Sequence, residues 1–143
     1  MRIETGKTTL LILTAALLVT GNGCSLTKGK EFGERAVAKF HDQFNSEQYH
    51  EIYVQSDEGF RKAASEADAL ALFEAVHRKL GMVKNSTQTG WHVNATPMGT
   101  MVNLVYDVEF SEGKGSEQFV FRVNGDEALL YNYNVNSPLL ITK

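Results

Sequence analysis

The sequence is short of the residues that crosslink or metallate small folds. One cysteine among 143 residues excludes an intrachain disulfide and any Cys-rich zinc site. Two prolines leave no Pro-rich spacer. Basic residues number 14 against 17 acidic ones, for a net charge of −3. The basic footprint of a nucleic-acid binder is therefore missing, and nucleic acid is not an expected partner. His41, His50, His77 and His92 share no ligand spacing, so no metal is expected. No Gly-x-Ser-x-Gly elbow occurs. Gly113, Lys114, Gly115 and Ser116 lack the upstream glycine and the strand-to-helix context of a phosphate loop, and read as a hairpin loop. No cofactor is expected. The remaining composition, 43% hydrophobic and 22% charged, is that of a globular domain rather than a disordered chain.

What the sequence does have is a sharply marked N-terminus. Arg2 and Lys7 flank Glu4, and residues 8–20 then run 13 positions without a charge before Gly21, Asn22, Gly23 and Cys24. A basic start, a short apolar core and a small-residue exit make a secretory signal layout. As a helix the apolar core would span roughly 20 Å, short of the roughly 30 Å of a bilayer's hydrocarbon. Cys24 sits where a bacterial lipoprotein signal places its cysteine. With Gly23 before it and Leu17, Leu18 and Val19 upstream, the segment resembles a lipobox, although Gly21 stands where that motif has a large aliphatic residue. The resemblance implies a lipid on Cys24 and cleavage before it. It also implies residence in the cell envelope with the membrane as partner. Ser25 rather than Asp after the cysteine implies, in a Gram-negative cell, the outer membrane facing the periplasm. Two other readings use the same residues: a plain signal peptide leaving Cys24 as a free thiol, or an uncleaved anchor, since residues 8–27 carry no charge. Loss of residues 1–23 takes Arg2, Lys7 and Glu4 with it and moves the net charge from −3 to −4.

The mature part divides into a tether at residues 24–29 and one domain over residues 30–143. Phe32, Ala36, Phe40 and Phe44 recur at i+4 steps, which predicts an amphipathic helix over residues 30–45. Ser46 is placed to cap a short second helix over residues 47–54, and Phe60 to plug the core from a turn. Ser65 and Asp68 form a near capping box for a third helix carrying Ala69, Leu72, Phe73, Val76 and Leu80, closed by Gly81 in a left-handed cap. The period then falls to two. Trp91 and Val93; Val102, Leu104, Tyr106, Val108 and Phe110; Phe119, Phe121 and Val123; and Leu129, Tyr131, Tyr133 and Val135 each line one face of a strand. Short connections, Asn124 and Gly125 among them, require an antiparallel meander. The expected fold class is α+β: N-terminal helices packed on a curved four-stranded antiparallel meander, preceded by a signal helix.

The order of helix, short helix, helix and four-strand meander is similar to the nuclear transport factor two-like cone of the cystatin-like superfamily. The phrase Phe44, Tyr49, Ile52, Tyr53, Phe60 and Arg61 resembles an uncharacterised exported branch of it. The resemblance covers residues 30–137 and implies a conical sheet wrapped around the long helix. Some members are lyases or isomerases using Asp, His or Tyr inside the cone; others bind ligands or partners, and the fold does not choose between them.

For catalysis the candidates are weak. Asp107 and His92 lie on the parity opposite the apolar faces of their strands, which points both toward solvent, and Tyr106 lies on the apolar face. The reading is therefore a lipid-anchored envelope protein whose domain binds a small apolar ligand or an envelope protein; the alternative is a small cone-fold enzyme using Asp107, His92 or Tyr106. An apolar tail at residues 138–141 either packs on the domain edge or pairs two copies in a homodimer.

Overall fold

The computed structural model describes residues 23–142, with side chains from Leu26 onward. Residues 1–22 of the signal segment lie outside these residues, as does the side chain of Cys24. The elements run α1 (Gly23–Asn45), α2 (Tyr49–Val54), α3 (Glu58–Ala63), α4 (Glu66–Leu80), β1 (Val83–Thr96), β2 (Gly99–Phe110), β3 (Lys114–Asn124), β4 (Glu127–Asn136) and α5 (Pro138–Ile141). The expected α+β class holds: helices precede an open four-stranded sheet of order β1-β2-β3-β4 with every neighbour antiparallel.

The expected tether is helical. Residues 24–29 continue α1 without a break. Gly29 and Gly33 are tolerated there because they face the sheet. A Cβ on Gly33 would stand 3.0 Å from Leu104 Cδ1 and 3.1 Å from Val102 Cγ1, so glycine lets the helix axis approach β2 closely. Beyond them Val37, Phe40, Phe44 and also His41 are buried, and α1 touches all four strands. At its end the Asn45 amide pairs with the Val83 backbone like an added strand residue: Nδ2 donates to Val83 O at 2.9 Å and Oδ1 accepts from Val83 N at 2.8 Å.

Ser46 does not cap α2. Helix α2 starts at Tyr49 without a side-chain cap, after Glu47 adopts a positive φ of 57°. Phe60 is buried as expected, but from the short helix α3 rather than a turn, with Asp57 accepting from Gly59 N as its cap. Ser65 caps α4 through Asp68 N. Gly81 has a positive φ but an extended ψ of −157°, a region open essentially to glycine alone rather than the left-handed helical one.

The core is aromatic. Phe40, Phe44, Phe73, Phe119, Phe121 and Tyr133 meet between α1, α4 and the sheet, and Phe40 alone contacts four aromatic rings in the core at 4.8–6.1 Å. Two sheet positions differ from the period-two reading. A bulge between Val120 and Phe121 pairs Phe121 with Leu130, so Leu130 enters the core and Tyr131 is exposed. Trp91 pairs with Leu104 and so faces the helices, yet it is 54% exposed, because α1 covers it with little beyond Lys30, whose Nζ lies 5.7 Å from the ring centroid. The apolar tail forms α5, capped by Ser137, and packs on α4, with Lys79 Nζ donating to Leu140 O at 3.0 Å.

Candidate functional site

The residues singled out from the sequence are not brought together. Asp107 and His92 are both exposed, opposite Thr87 and Asn103 respectively. Asn103 and Asp107 are four residues apart on β2, which separates the two by about 13 Å along the strand. That is far beyond acid–base partnership. Tyr106 is on the opposite face, buried against α1. Burial and then the negative charge of Glu34 push its hydroxyl up to about 12, so it holds its proton at neutral pH. Across the strands from it, the Gln88 side chain opposes part of that rise.

A different cluster occupies the interior. His41 on α1, Glu117 on β3 and Tyr133 on β4 form one chain of contacts. His41 Nε2 stands 2.6 Å from Glu117 Oε2, and the Tyr133 hydroxyl donates to Glu117 Oε1 at 2.8 Å. Glu117 is only 1% exposed. Burial first, then the charge and hydrogen bond of Glu117, hold the Tyr133 hydroxyl far above its ordinary range. Both carboxylate oxygens are thus satisfied, as a buried charge requires. The signal for Glu117 was available. It lies two residues before Phe119 on the inward parity, at the end of a run read only as far as Phe119. His41 had no such signal, because it neighbours the phenylalanine stripe and is buried only because α1 is covered by the whole width of the sheet. A second tyrosine–histidine pair, Tyr49 Oη to His77 Nδ1 at 2.6 Å, lies between α2 and α4. Among the described residues no group of acidic, histidine or cysteine side chains is arranged to hold a metal ion.

Space for a ligand lies elsewhere. One cleft of about 460 Å³ opens between α1, α2 and the β3–β4 hairpin. Its floor is Phe32, Ala36, Phe40, Ile52, Phe121 and Leu130, with Arg35 and Lys39 on one rim and Asp126 and Glu127 on the other. Arg35 lies over the Phe32 ring at 4.8 Å. A second, of about 520 Å³, lies on the outer sheet face. It is bordered by Asp107, Glu109, Lys114 and Asn136. A third, of about 290 Å³, lies between α4 and β4 and is bordered by Tyr133 and Leu140. Neither His41 nor Glu117 lines any of the three.

No protein-family model matches the chain, and no curated protein matches it significantly. The first cleft combines an apolar floor with charges of both signs at its mouth. Its size is within the range of small-molecule sites, about 300–1,000 Å³. It can take an apolar body and hold a polar end; it offers no buried base to that body.

Proposed function

We propose that this chain is a lipid-anchored cell-envelope protein and that its domain is a binding module of the nuclear transport factor two-like kind. It takes a small apolar ligand, or an apolar segment of an envelope protein, in the cleft between α1 and the β3–β4 hairpin. The observation that carries the reading is that cleft: about 460 Å³, with an apolar floor and rims of Arg35 and Lys39 facing Asp126 and Glu127. In this reading the sheet is the wall of the cone and α1 its axis. The interior is given to Phe40, Phe44, Phe73 and Phe119, and the ligand sits at the mouth. The lipid on Cys24 holds the module at the membrane, and Ser25 sends it to the outer membrane facing the periplasm in a Gram-negative cell.

A fluorescent fatty acid, dansyl-undecanoate, tests the cleft on the full chain. Saturable enhancement is expected, lost in Ala36→Phe, which fills the floor, and weakened in Lys39→Glu, which leaves the floor intact. Equal enhancement by the wild type and both folded variants contradicts the assignment.

A second reading, a lyase- or isomerase-type enzyme, is favoured by one observation, the Tyr133–Glu117–His41 chain. It requires a substrate beside Glu117, where Phe40, Phe119 and Tyr133 now pack against each other at 4.8–5.3 Å.

A further inference from the structure

Three exposed apolar side chains lie along the first turns of α1 and the β1–β2 hairpin beside them: Leu26, Trp91 and Met98, which are 42%, 54% and 70% exposed. The position of a Cβ on Gly29 is 3.6 Å from Thr100 Cγ2 and 3.8 Å from Val93 Cγ1, so the first turns of α1 lie beside the β1–β2 hairpin that carries Met98. Leu26 precedes Lys30 by four residues and therefore lies on the same helix face. Lys30 in turn lies over Trp91. A face of Leu, Trp, Met and Lys has the composition of the bilayer interface, where indole rings and lysine stems sit at headgroup depth.

The adjoining sequence says what covers this face. Residues 8–20 carry no charge, and they lead to the first residue of α1. Whether that run is replaced by a lipid on Cys24 or kept as an anchor, the membrane meets the molecule at the start of α1. No flexible spacer follows, since α1 is helical from Gly23. Lys30 stands six residues along the helix from Cys24, about 9 Å. A tilt of α1 toward its β1 side brings Trp91 into a headgroup layer about 5–8 Å deep.

The structure assigns this end of the domain as a bilayer-docking face: Leu26, Trp91 and Met98 seat in the interfacial layer, with the first turns of α1 and the adjoining part of β1 laid against the membrane. The assignment rests on the membrane-anchored reading above and adds an orientation to it. Charge is not the main attraction. Lys30 also pairs with Glu34, and Glu31 follows it on α1. The neighbouring β3–β4 turn carries Asp126 and Glu127. Docking therefore depends on apolar insertion and tolerates salt.

Trp91 is the only tryptophan, so its fluorescence reports this face alone. The full-length product, processed by its own cell and purified from membranes, is placed in phosphatidylcholine–phosphatidylglycerol vesicles containing lipids brominated near the headgroup. Its mass and its sedimentation with the vesicles are recorded in parallel. The expected result is quenching of Trp91 by the bromolipid and protection from iodide, both unchanged by added salt. Both effects are lost in a Leu26→Asp, Met98→Asp variant that still sediments. A protein that carries lipid mass and sediments, but whose Trp91 is unquenched and open to iodide, overturns the docking face and leaves the anchoring intact. Protection from iodide without bromolipid quenching, together with crosslinked dimers, overturns it in favour of a second copy. Absence of both lipid mass and sedimentation removes the anchoring and the docking face together.

Discussion

The Tyr133 hydroxyl donates to Glu117 Oε1 at 2.8 Å across neighbouring strands, inside a core made of aromatic and aliphatic side chains. His41 closes the other carboxylate oxygen. Each partner removed leaves the rest exposed to a different cost.

His41→Leu removes both a hydrogen bond to the buried Glu117 and the ring contact with Phe119, which costs about 3 kcal/mol or more. Tyr133→Phe removes one hydrogen bond and leaves Oε1 unsatisfied, which costs about 1–3 kcal/mol. Urea unfolding of the two variants should rank them in that order. Equal midpoints for the wild type and both variants would show that the cluster is not buried in solution.

The raised tyrosines predict a pH dependence. Tyr106, at about 12, and Tyr133, held well above the ordinary tyrosine range, keep their protons more tightly when folded than when unfolded. Their contribution to stability is fully present below the ordinary tyrosine value of about 10 and is lost as pH rises past it toward the folded values. Thermal melts should fall in this alkaline window. Absorbance titration should show Tyr106, Tyr133 and, to a smaller degree, Tyr49 ionising late among the five tyrosines. Simultaneous ionisation of all five near pH 10 in the folded protein would contradict the burial.

Much of the sheet is legible from period two alone. Val102, Leu104, Tyr106, Val108 and Phe110 are all buried, as are Phe119, Phe121 and Val123. The pattern fails where a local event overrides parity. The bulge at Val120 and Phe121 exchanges Tyr131 for Leu130, and bulges leave no fixed signature in side-chain type. Trp91 has the inward parity but little helix over it, because parity says which face a residue takes and not whether anything covers that face. The helical residues 24–29 were hidden by Gly29, which packs against Thr100, Val102 and Val93 of the β1–β2 hairpin. Glu117 was legible as the inward position two before Phe119, whereas His41, beside the phenylalanine stripe, stays hidden until its partner, 76 positions away, is seen.

Gly81 and Gly90 make a matched pair of tests. Gly81 has a φ of 76°, and a Cβ there would fall 1.8 Å from Ser111 Oγ, whereas at Gly90 the nearest atom is Val105 Cβ at 3.8 Å. Gly81→Ala is expected to lose about 1–3 kcal/mol through backbone strain, with the displaced Ser111 hydroxyl adding to it. Gly90→Ala should lie within about 0.5 kcal/mol of the wild type. Chemical denaturation compares them directly; equal stabilities would contradict the strained geometry at Gly81.

Histidine acylation by diethylpyrocarbonate separates the two functional readings. His50 and His92 are exposed, and His41 is buried. A binding module with a filled interior predicts rapid modification of His50 and His92 and protection of His41 until unfolding, read by peptide mass. Modification of His41 at the rate of His92 would show a path to the Glu117 cluster and would favour the enzyme.

The central claim, a domain held to the membrane through Cys24, is tested most directly by the intact mass of the protein isolated from its own cell envelope. The account predicts a chain beginning at Cys24 with the added mass of a thioether-linked diacylglycerol, and a Cys24→Ser variant that leaves the membrane fraction. A mature chain that begins elsewhere, or that begins at Cys24 with no added lipid mass, contradicts it.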